Sequence, residues 1–362
     1  MESAAKVYFS IFFLLVVFGM VMVFNINMFN VSSANAALFP QMRSLIFNFA
    51  VAGVAFTFAY LINLSWLKNS SKLLVFFMIL VLIGTLIVGT KVNGARRWID
   101  LGFMRVQPSE FAKIVTVIYL SEVMTKKGER IRLIQDLISI GIVIGLMLLF
   151  MYNDMGALVI IAGTSVCLLL LGGVNRKQLF LLAAPLSVIA VLALLFSSDY
   201  RITRVKSFID PCGEEYRAGA GYQQCHARIA FSIGGTTGVG FGNSTEKKKT
   251  NLPEAQTDFI FPIIGEEFGF VGSLTMIFLF LAMFGIGSYF ALNLHDTFNF
   301  YMVSGFVLML AGQAAINLLM VVSLLPNKGE PLPFISYGGS ALTSYSIMVG
   351  LILNAVTSES RR

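Results

Sequence analysis

The residues best placed to do chemistry lie at 251–270, N-L-P-E-A-Q-T-D-F-I-F-P-I-I-G-E-E-F-G-F, where a polar loop runs into a long apolar helix. The stretch carries four carboxylates, Glu254, Asp258, Glu266 and Glu267. The chain is 57% hydrophobic and 12% charged, so acids set against apolar surface are costly and mark function by default. Four other polar groupings accompany them. In K-V-N-G-A-R-R-W-I-D at 91–100, Arg96 and Arg97 suit phosphate oxygens and Trp98 offers a stacking face for a sugar. An interfacial anchor belt accounts for the same residues equally well. In Q-P-S-E-F-A-K at 107–113, Pro108 and Ser109 suit a first helical turn. Glu110 and Lys113 stand three apart on one helical face, as a structural ion pair or the lining of a polar cavity. Asp154 either caps the following helix or adds a carboxylate at the same level. The segment 326–340, P-N-K-G-E-P-L-P-F-I-S-Y-G-G-S, is too rich in proline and glycine for regular helix. Lys328, Ser336 and Tyr337 supply donors there.

These groups together offer cations, an aromatic face, hydroxyls and carboxylates beside lipid. They suit a substrate with an anionic phosphate head, a polar body and an apolar tail, and they do not suit a simple ion channel. His226 and His295 are the only histidines and the three cysteines do not cluster, which argues against haem, iron–sulfur and zinc centres. The glycines at 234–243 let backbone approach a ligand or simply form turns. Lys247, Lys248 and Lys249 read as a solvated run or a ligand contact. Cys167 is a small apolar filler. Cys212 and Cys225 share one loop and form a disulfide if that loop is extracytoplasmic, or else remain two thiols.

The elements that position these groups are membrane helices. Mean hydropathy is +0.80, with 33 Phe and 17 Met. A soluble fold cannot hide that much apolar area, whereas a polytopic one leaves it facing lipid. Ten runs fit a span: 7–27, 43–66, 72–90, 108–124, 134–152, 156–174, 178–196, 260–292, 298–324 and 337–355. The first has no clean cleavage site after it and reads as a helix, not a signal peptide. With the N-terminus inside, the inner segments carry Lys6, Lys68, Lys72, Lys126, Lys127, Arg130, Arg132, Arg176, Lys177, Arg361 and Arg362. The short outer loops carry only Arg43, Lys91, Arg96, Arg97, Arg105 and Lys328. That excess favours both termini inside, and the cluster around Trp98 breaks the rule locally. The expectation is an all-α polytopic membrane protein of one domain, with a large extracytoplasmic loop at 197–259 between helices 7 and 8. The net charge of +7 is scattered among short loops, which speaks against nucleic-acid binding.

The sequence resembles the SEDS proteins (shape, elongation, division and sporulation), the group containing FtsW, RodA and SpoVE. The matching stretches are N-G-A-R-R-W-I-D-L-G at 93–102, Q-P-S-E-F-A-K at 107–113, D-M-G at 154–156, L-P-E-A-Q-T-D-F-I-F at 252–261 with I-G-E-E-F-G at 264–269, and L-P-N-K-G-E-P-L-P-F-I-S-Y-G-G-S at 325–340. They follow the family's order across nearly the whole chain. The resemblance implies a ten-helix fold and a peptidoglycan glycosyltransferase that polymerises lipid II at the outer face of the bacterial cytoplasmic membrane. It implies a class B penicillin-binding protein as partner, other divisome proteins, and dependence on a divalent cation such as magnesium or manganese. The family's essential acid corresponds to Asp258, and its important tryptophan to Trp98. Gln256 stands where the family usually has histidine, and the paired loop cysteines are not typical. The Lys-Gly at 328–329 resembles the division branch more than the elongation branch, pointing to septal synthesis.

On this reading Asp258 is the general base that takes the proton of the acceptor sugar's hydroxyl as it attacks the donor's anomeric carbon, with inversion. Arg96, Arg97, Lys113, Lys328 or a bound magnesium ion neutralises the leaving pyrophosphate. If the segment is helical, Glu254 lies one turn from Asp258 and the two share a metal; otherwise it is a solvated loop acid. Glu266 and Glu267 are either satisfied by neighbouring helices or meet a partner. The rivals are a lipid II flippase, an elongation-type polymerase and a scaffold that only recruits a synthase. A flippase needs polar groups along its whole path, and here they gather at one face.

Overall fold

The computed structural model describes residues 1–34, 38–92, 95–102, 104–179, 207–219, 221–247 and 252–360. Its helices are α1 (Glu2–Ala34), α2 (Leu38–Leu61), α3 (Leu64–Asn69), α4 (Ser71–Val88), α5 (Pro108–Lys127), α6 (Ile134–Phe150), α7 (Met155–Leu171), α8 (Tyr222–Gly234), α9 (Ile260–Leu292), α10 (Thr297–Val321) and α11 (Gly339–Ser360). Among the described residues six helices are long and apolar enough to cross a membrane: α1, α2, α4, α9, α10 and α11. The helices α6 and α7 are apolar but shorter. The expected span at 178–196 lies outside the described residues, save for 178–179. Ten is therefore a count from sequence alone.

Three sequence expectations are corrected. The run 43–66 is not one helix. It stops at Leu61, and the Asn63 side chain caps α3 by accepting from Ser65 N at 2.8 Å. The stretch after α4 is a three-stranded antiparallel ribbon, β1 (Thr90–Val92), β2 (Ala95–Asp100) and β3 (Arg105–Val106), in the order β1-β2-β3. The 197–259 loop contains a helix of its own, α8.

The centre of the bundle is α5, buried from Pro108 to Met124 with few breaks. It carries Glu110, Lys113, Glu122, Lys126 and Lys127, so protein, not lipid, must surround it. Gly305 of α10 makes the close approach: a Cβ there would stand 2.5 Å from Val117. The last helix, α11, lies along α2. Gly350 abuts the Phe56 carbonyl, and Asn354 donates to the carbonyls of Ala59 (3.1 Å) in the last turn of α2 and of Ile62 (2.7 Å) just past its end. Those carbonyls have no partner within their own helix.

The long helix α9 is broken at Gly269, whose φ of 69° and ψ of −164° leave the helical region. The glycine-rich loop enters the break. Val239 and Gly240 N donate to the carbonyls of Glu266 and Glu267, and Phe270 and Val271 N donate to Gly235 and Thr236. A Cβ at Gly238 would sit 2.2 Å from the Glu267 carbonyl. The glycines of this loop thus serve close backbone packing against α9.

Candidate active site

Asp258 closes a series of turns just before α9 and is half-buried. Its neighbourhood is built by the irregular segment between α10 and α11. Ser336 Oγ donates to the Thr257 carbonyl (2.5 Å) and accepts from Leu332 N (2.8 Å). Tyr337 N donates to the Gln256 carbonyl at 2.8 Å. Gly329, with a φ of +69°, brings backbone against the Asp258 carboxylate: a Cβ would lie 3.1 Å from Oδ2. The structure therefore joins Asp258, Lys328, Ser336 and Tyr337 in one place. Ser336 acts there as a staple between two loops, both of its hydrogen-bonding roles being occupied. The Tyr337 hydroxyl reaches Ser44 on α2 at 3.0 Å.

Glu330 was not among the sequence candidates, yet it is the centre of the arrangement. It is 3% exposed, and its Oε2 has no hydrogen-bond partner among the described residues. Its carboxyl reaches the start of α7, where a Cβ on Gly156 would fall on its Oε1. Burial pushes this carboxyl well above the ordinary carboxylate range. Asp154, Glu110 and Asp258 push the same way, against the opposing pull of Lys113. Acids from four separate sequence motifs thus share one electrostatic neighbourhood with the Lys113 ammonium.

Asp154 caps α7 loosely, accepting from Ala157 N at 3.4 Å. Its stronger bonds come from Gln107 Nε2 (2.7 Å) and Ser109 Oγ (2.5 Å), which pin the starts of α5 and α7 together. A recess beside it is lined by Arg96, Arg97, Ser109 and Asp154. The β-ribbon aims the arginines. Thr90 pairs with Trp98 and Lys91 with Arg96, so Arg97 is the extra residue of a bulge, a device that re-aims a side chain. Its buried Nε has no hydrogen-bond partner among the described residues. Arg96 instead caps α4, donating from Nη1 to the carbonyls of Leu86 (3.0 Å) and Ile87 (2.5 Å). Trp98 is half-buried in β2, and its carbonyl accepts from Thr90 Oγ1 at 3.2 Å.

The alternatives left open for Lys113 and Glu254 are decided by the packing. Lys113 is fully buried. Its ammonium meets Glu110 (2.8 Å) and Gln313 (2.7 Å) and lies over the Tyr345 ring. Glu110 also accepts from Ser344 Oγ at 2.9 Å. The pair is an interior strut holding α5 to α10 and α11, and its charges are consumed inside the protein. Glu254 does not lie on a helix with Asp258. It is exposed, has a φ of 60°, and accepts from Thr257 Oγ1 at 2.8 Å.

Glu266 and Glu267 hold the glycine-rich loop. Glu266, 0% exposed, accepts from Ser244 Oγ (2.5 Å), Thr245 N (2.7 Å), Thr245 Oγ1 (2.9 Å) and Glu246 N (3.2 Å). Glu267 accepts from Asn25 on α1 and from Lys247. Lys247 is 1% exposed and not part of a solvated run; Lys248 and Lys249 lie outside the described residues. His226 faces Glu246 at 2.6 Å. Cys212 and Cys225 are joined by a disulfide with Cα atoms 5.0 Å apart, tying the segment before α8 to its first turns. From there α8 braces the site. Gln224 donates to the carbonyls of Met320 and Leu325, and Gln223 accepts from Asn327 at 2.6 Å.

A family model described as cell cycle protein, covering FtsW, RodA and SpoVE, matches residues 5–361; the chain belongs to this family. Among its relatives is a probable peptidoglycan glycosyltransferase FtsW of Coxiella burnetii, 38% identical over 80% of this chain and 78% of that one. Another, of Hahella chejuensis, bears the same description and is 37% identical over 92% of this chain and 85% of that one. A solved chain from a peptidoglycan synthase complex that coordinates polymerization and crosslinking superimposes with a TM-score of 0.77 at 22% identity, covering 98% of each chain. The rod shape determining protein RodA of Thermus thermophilus superimposes with a TM-score of 0.65 at 23% identity, covering 95% of this chain and 96% of that one. Both structures share the fold.

Proposed function

We propose that this chain is a peptidoglycan glycosyltransferase of the bacterial cytoplasmic membrane, polymerising lipid II on the extracytoplasmic side, with septal synthesis as its setting. The observation that carries the reading is the junction of Asp258 with the Lys328–Glu330 backbone at one end of an apolar bundle. A carboxylate and a cation-bearing loop stand together where a sugar head and a lipid tail must meet. Beside it, Gly19 of α1, Phe49 of α2, Phe334 and Tyr337 line a small, largely apolar recess. The relatives' names and the excess of inner Lys and Arg support the same activity and orientation, with both termini inside.

Asp258 acts as the base. As the acceptor hydroxyl attacks the anomeric carbon, its proton passes to the carboxylate and the bond to pyrophosphate breaks, with inversion. A positioned base contributes on the order of 10²–10⁴-fold. Pyrophosphate leaves as an anion and needs no protonation, only compensating charge. Lys328 on the facing loop and Arg97 at the recess supply it. A magnesium or manganese ion would have Asp258 as its protein ligand here, with the substrate bringing most of its shell. Asp258 offers a hard oxygen, no three His, Cys, Asp or Glu of the described residues converge on one point, and magnesium commonly pairs one or two carboxylates with substrate phosphates. When bound, such an ion neutralises leaving-group charge. A penicillin-binding transpeptidase is the partner this reading calls for.

The test uses purified protein in detergent with its transpeptidase partner and lipid II, the products run on a gel. Polymer is expected, since detergent permits no transport. No polymer, together with movement of lipid II across vesicles carrying the protein, would replace the enzyme by a flippase.

A further inference from the structure

The two loops that meet at Asp258 hang from one side chain that no sequence motif singled out. Asn317, on the buried face of α10, is 0% exposed. Its Nδ2 donates to the main-chain carbonyl of Asp258 at 2.8 Å and to that of Glu330 at 2.6 Å. Two acceptors on one nitrogen lie within roughly 5 Å of each other, given ordinary hydrogen-bond lengths. One turn earlier on α10, Gln313 continues the rail. Its Nε2 donates to the Pro331 carbonyl (3.4 Å) and to the Tyr345 hydroxyl, and its Oε1 accepts from Lys113 (2.7 Å). The buried strut of α5 and both site loops are therefore referenced to one helix face.

The amide at 317 is an expensive choice for stability. Its Oδ1 has no hydrogen-bond partner among the described residues, and an unsatisfied buried polar atom lowers stability. A leucine, with the same number of side-chain heavy atoms, would suit an apolar span better. What the asparagine supplies is a fixed spacing between two main chains. We infer that Asn317 is a positioning residue for glycosyl transfer, setting Asp258 against the Lys328–Glu330 loop; this rests on the function proposed above. Its importance follows from the tolerance of the reaction, in which a displacement of about 1 Å costs on the order of 10²-fold in rate.

The test compares wild type, Asn317→Leu and Asn317→Asp as full chains with the transpeptidase partner, by polymerisation kinetics, thermal unfolding and hydrogen exchange. Asn317→Leu is expected to speed exchange in both 252–259 and 326–332. It should lower kcat by about 10²-fold, in line with that tolerance, while leaving KM and the melting temperature nearly unchanged. The isosteric Asn317→Asp, retaining one donor at most, should fall between. In an Asp258→Asn background, Asn317→Leu should cost little more, because residues acting as a unit are not additive. Unchanged kcat, an additive loss, or exchange that does not move would each overturn the inference. Should wild type make no polymer, the catalytic reading fails, and exchange alone still decides whether Asn317 clamps the loops.

Discussion

Glu266 and Glu330 are both buried carboxylates near the same end of the bundle, 0% and 3% exposed, and their surroundings are opposite. Glu266 receives two main-chain and two hydroxyl donors from 244–246. Glu330 has an unpartnered oxygen, like charges around it and a raised proton affinity. The difference separates two uses of an acid in an apolar fold. Where donors converge, a carboxylate fastens a loop and stores nothing for a ligand. Where acids gather around Lys113 and one oxygen of Glu330 has no hydrogen-bond partner among the described residues, the fold tolerates an electrostatic cost beside the segment that holds Asp258.

The comparison is open to breakage from either side. Glu266→Ala removes the acceptor of several buried donors. It should cost several kcal/mol, since each buried donor left unsatisfied costs about 1–3 kcal/mol, and should accelerate hydrogen exchange across 239–247; a melting temperature like that of wild type would remove the anchor. Loss of the Cys212–Cys225 bond through a Cys212→Ser, Cys225→Ser double variant should cost roughly 2–3 kcal/mol for a loop of this length. The loss should appear first as faster exchange in α8, and thermal unfolding with and without reductant measures it.

Glu330→Gln tests the other region by its sign. A carboxyl whose proton is held more tightly in the fold than in the unfolded chain stabilises the native state below its unfolded pKa of about 4.3. That contribution is lost as pH rises toward the raised folded value. Gln carries no such dependence. The variant should match wild type near pH 4 and then outlast it, by up to about 1.4 kcal/mol per pH unit. Melting curves at several pH values that stay parallel would show that Glu330 is not held neutral.

Much of this was legible in the chain. The apolar runs place α1, α4, α9, α10 and α11, and the acid of T-D-F lands where two loops meet. What sequence could not show is which polar residues face inward. Asn317 and Gln313 sit in a run whose other residues read as lipid-facing, and only the packing of α10 on α5 reveals their side. Glu330 lay inside a quoted motif, but a Lys-Gly-Glu string reads as a solvated turn until Gly156 is seen to accept its carboxyl. Lys247 looked solvated because it opens a lysine run, and its partners Asn25 and Glu267 are hundreds of residues distant or beyond a helix start. The bulge at Arg97 depends on strand register, which no local pattern sets. Arg96 and Lys113, both candidates by type, turn out to be engaged by helix carbonyls and by Glu110.

The most direct measurement is polymerisation of lipid II by Asp258→Asn protein with its partner, at substrate levels that saturate wild type. Glycan formation should fall on the order of 10²–10⁴-fold while the protein stays folded. Polymer made at the wild-type rate would contradict Asp258 as the base, and with it the assignment of the loop junction as the active site.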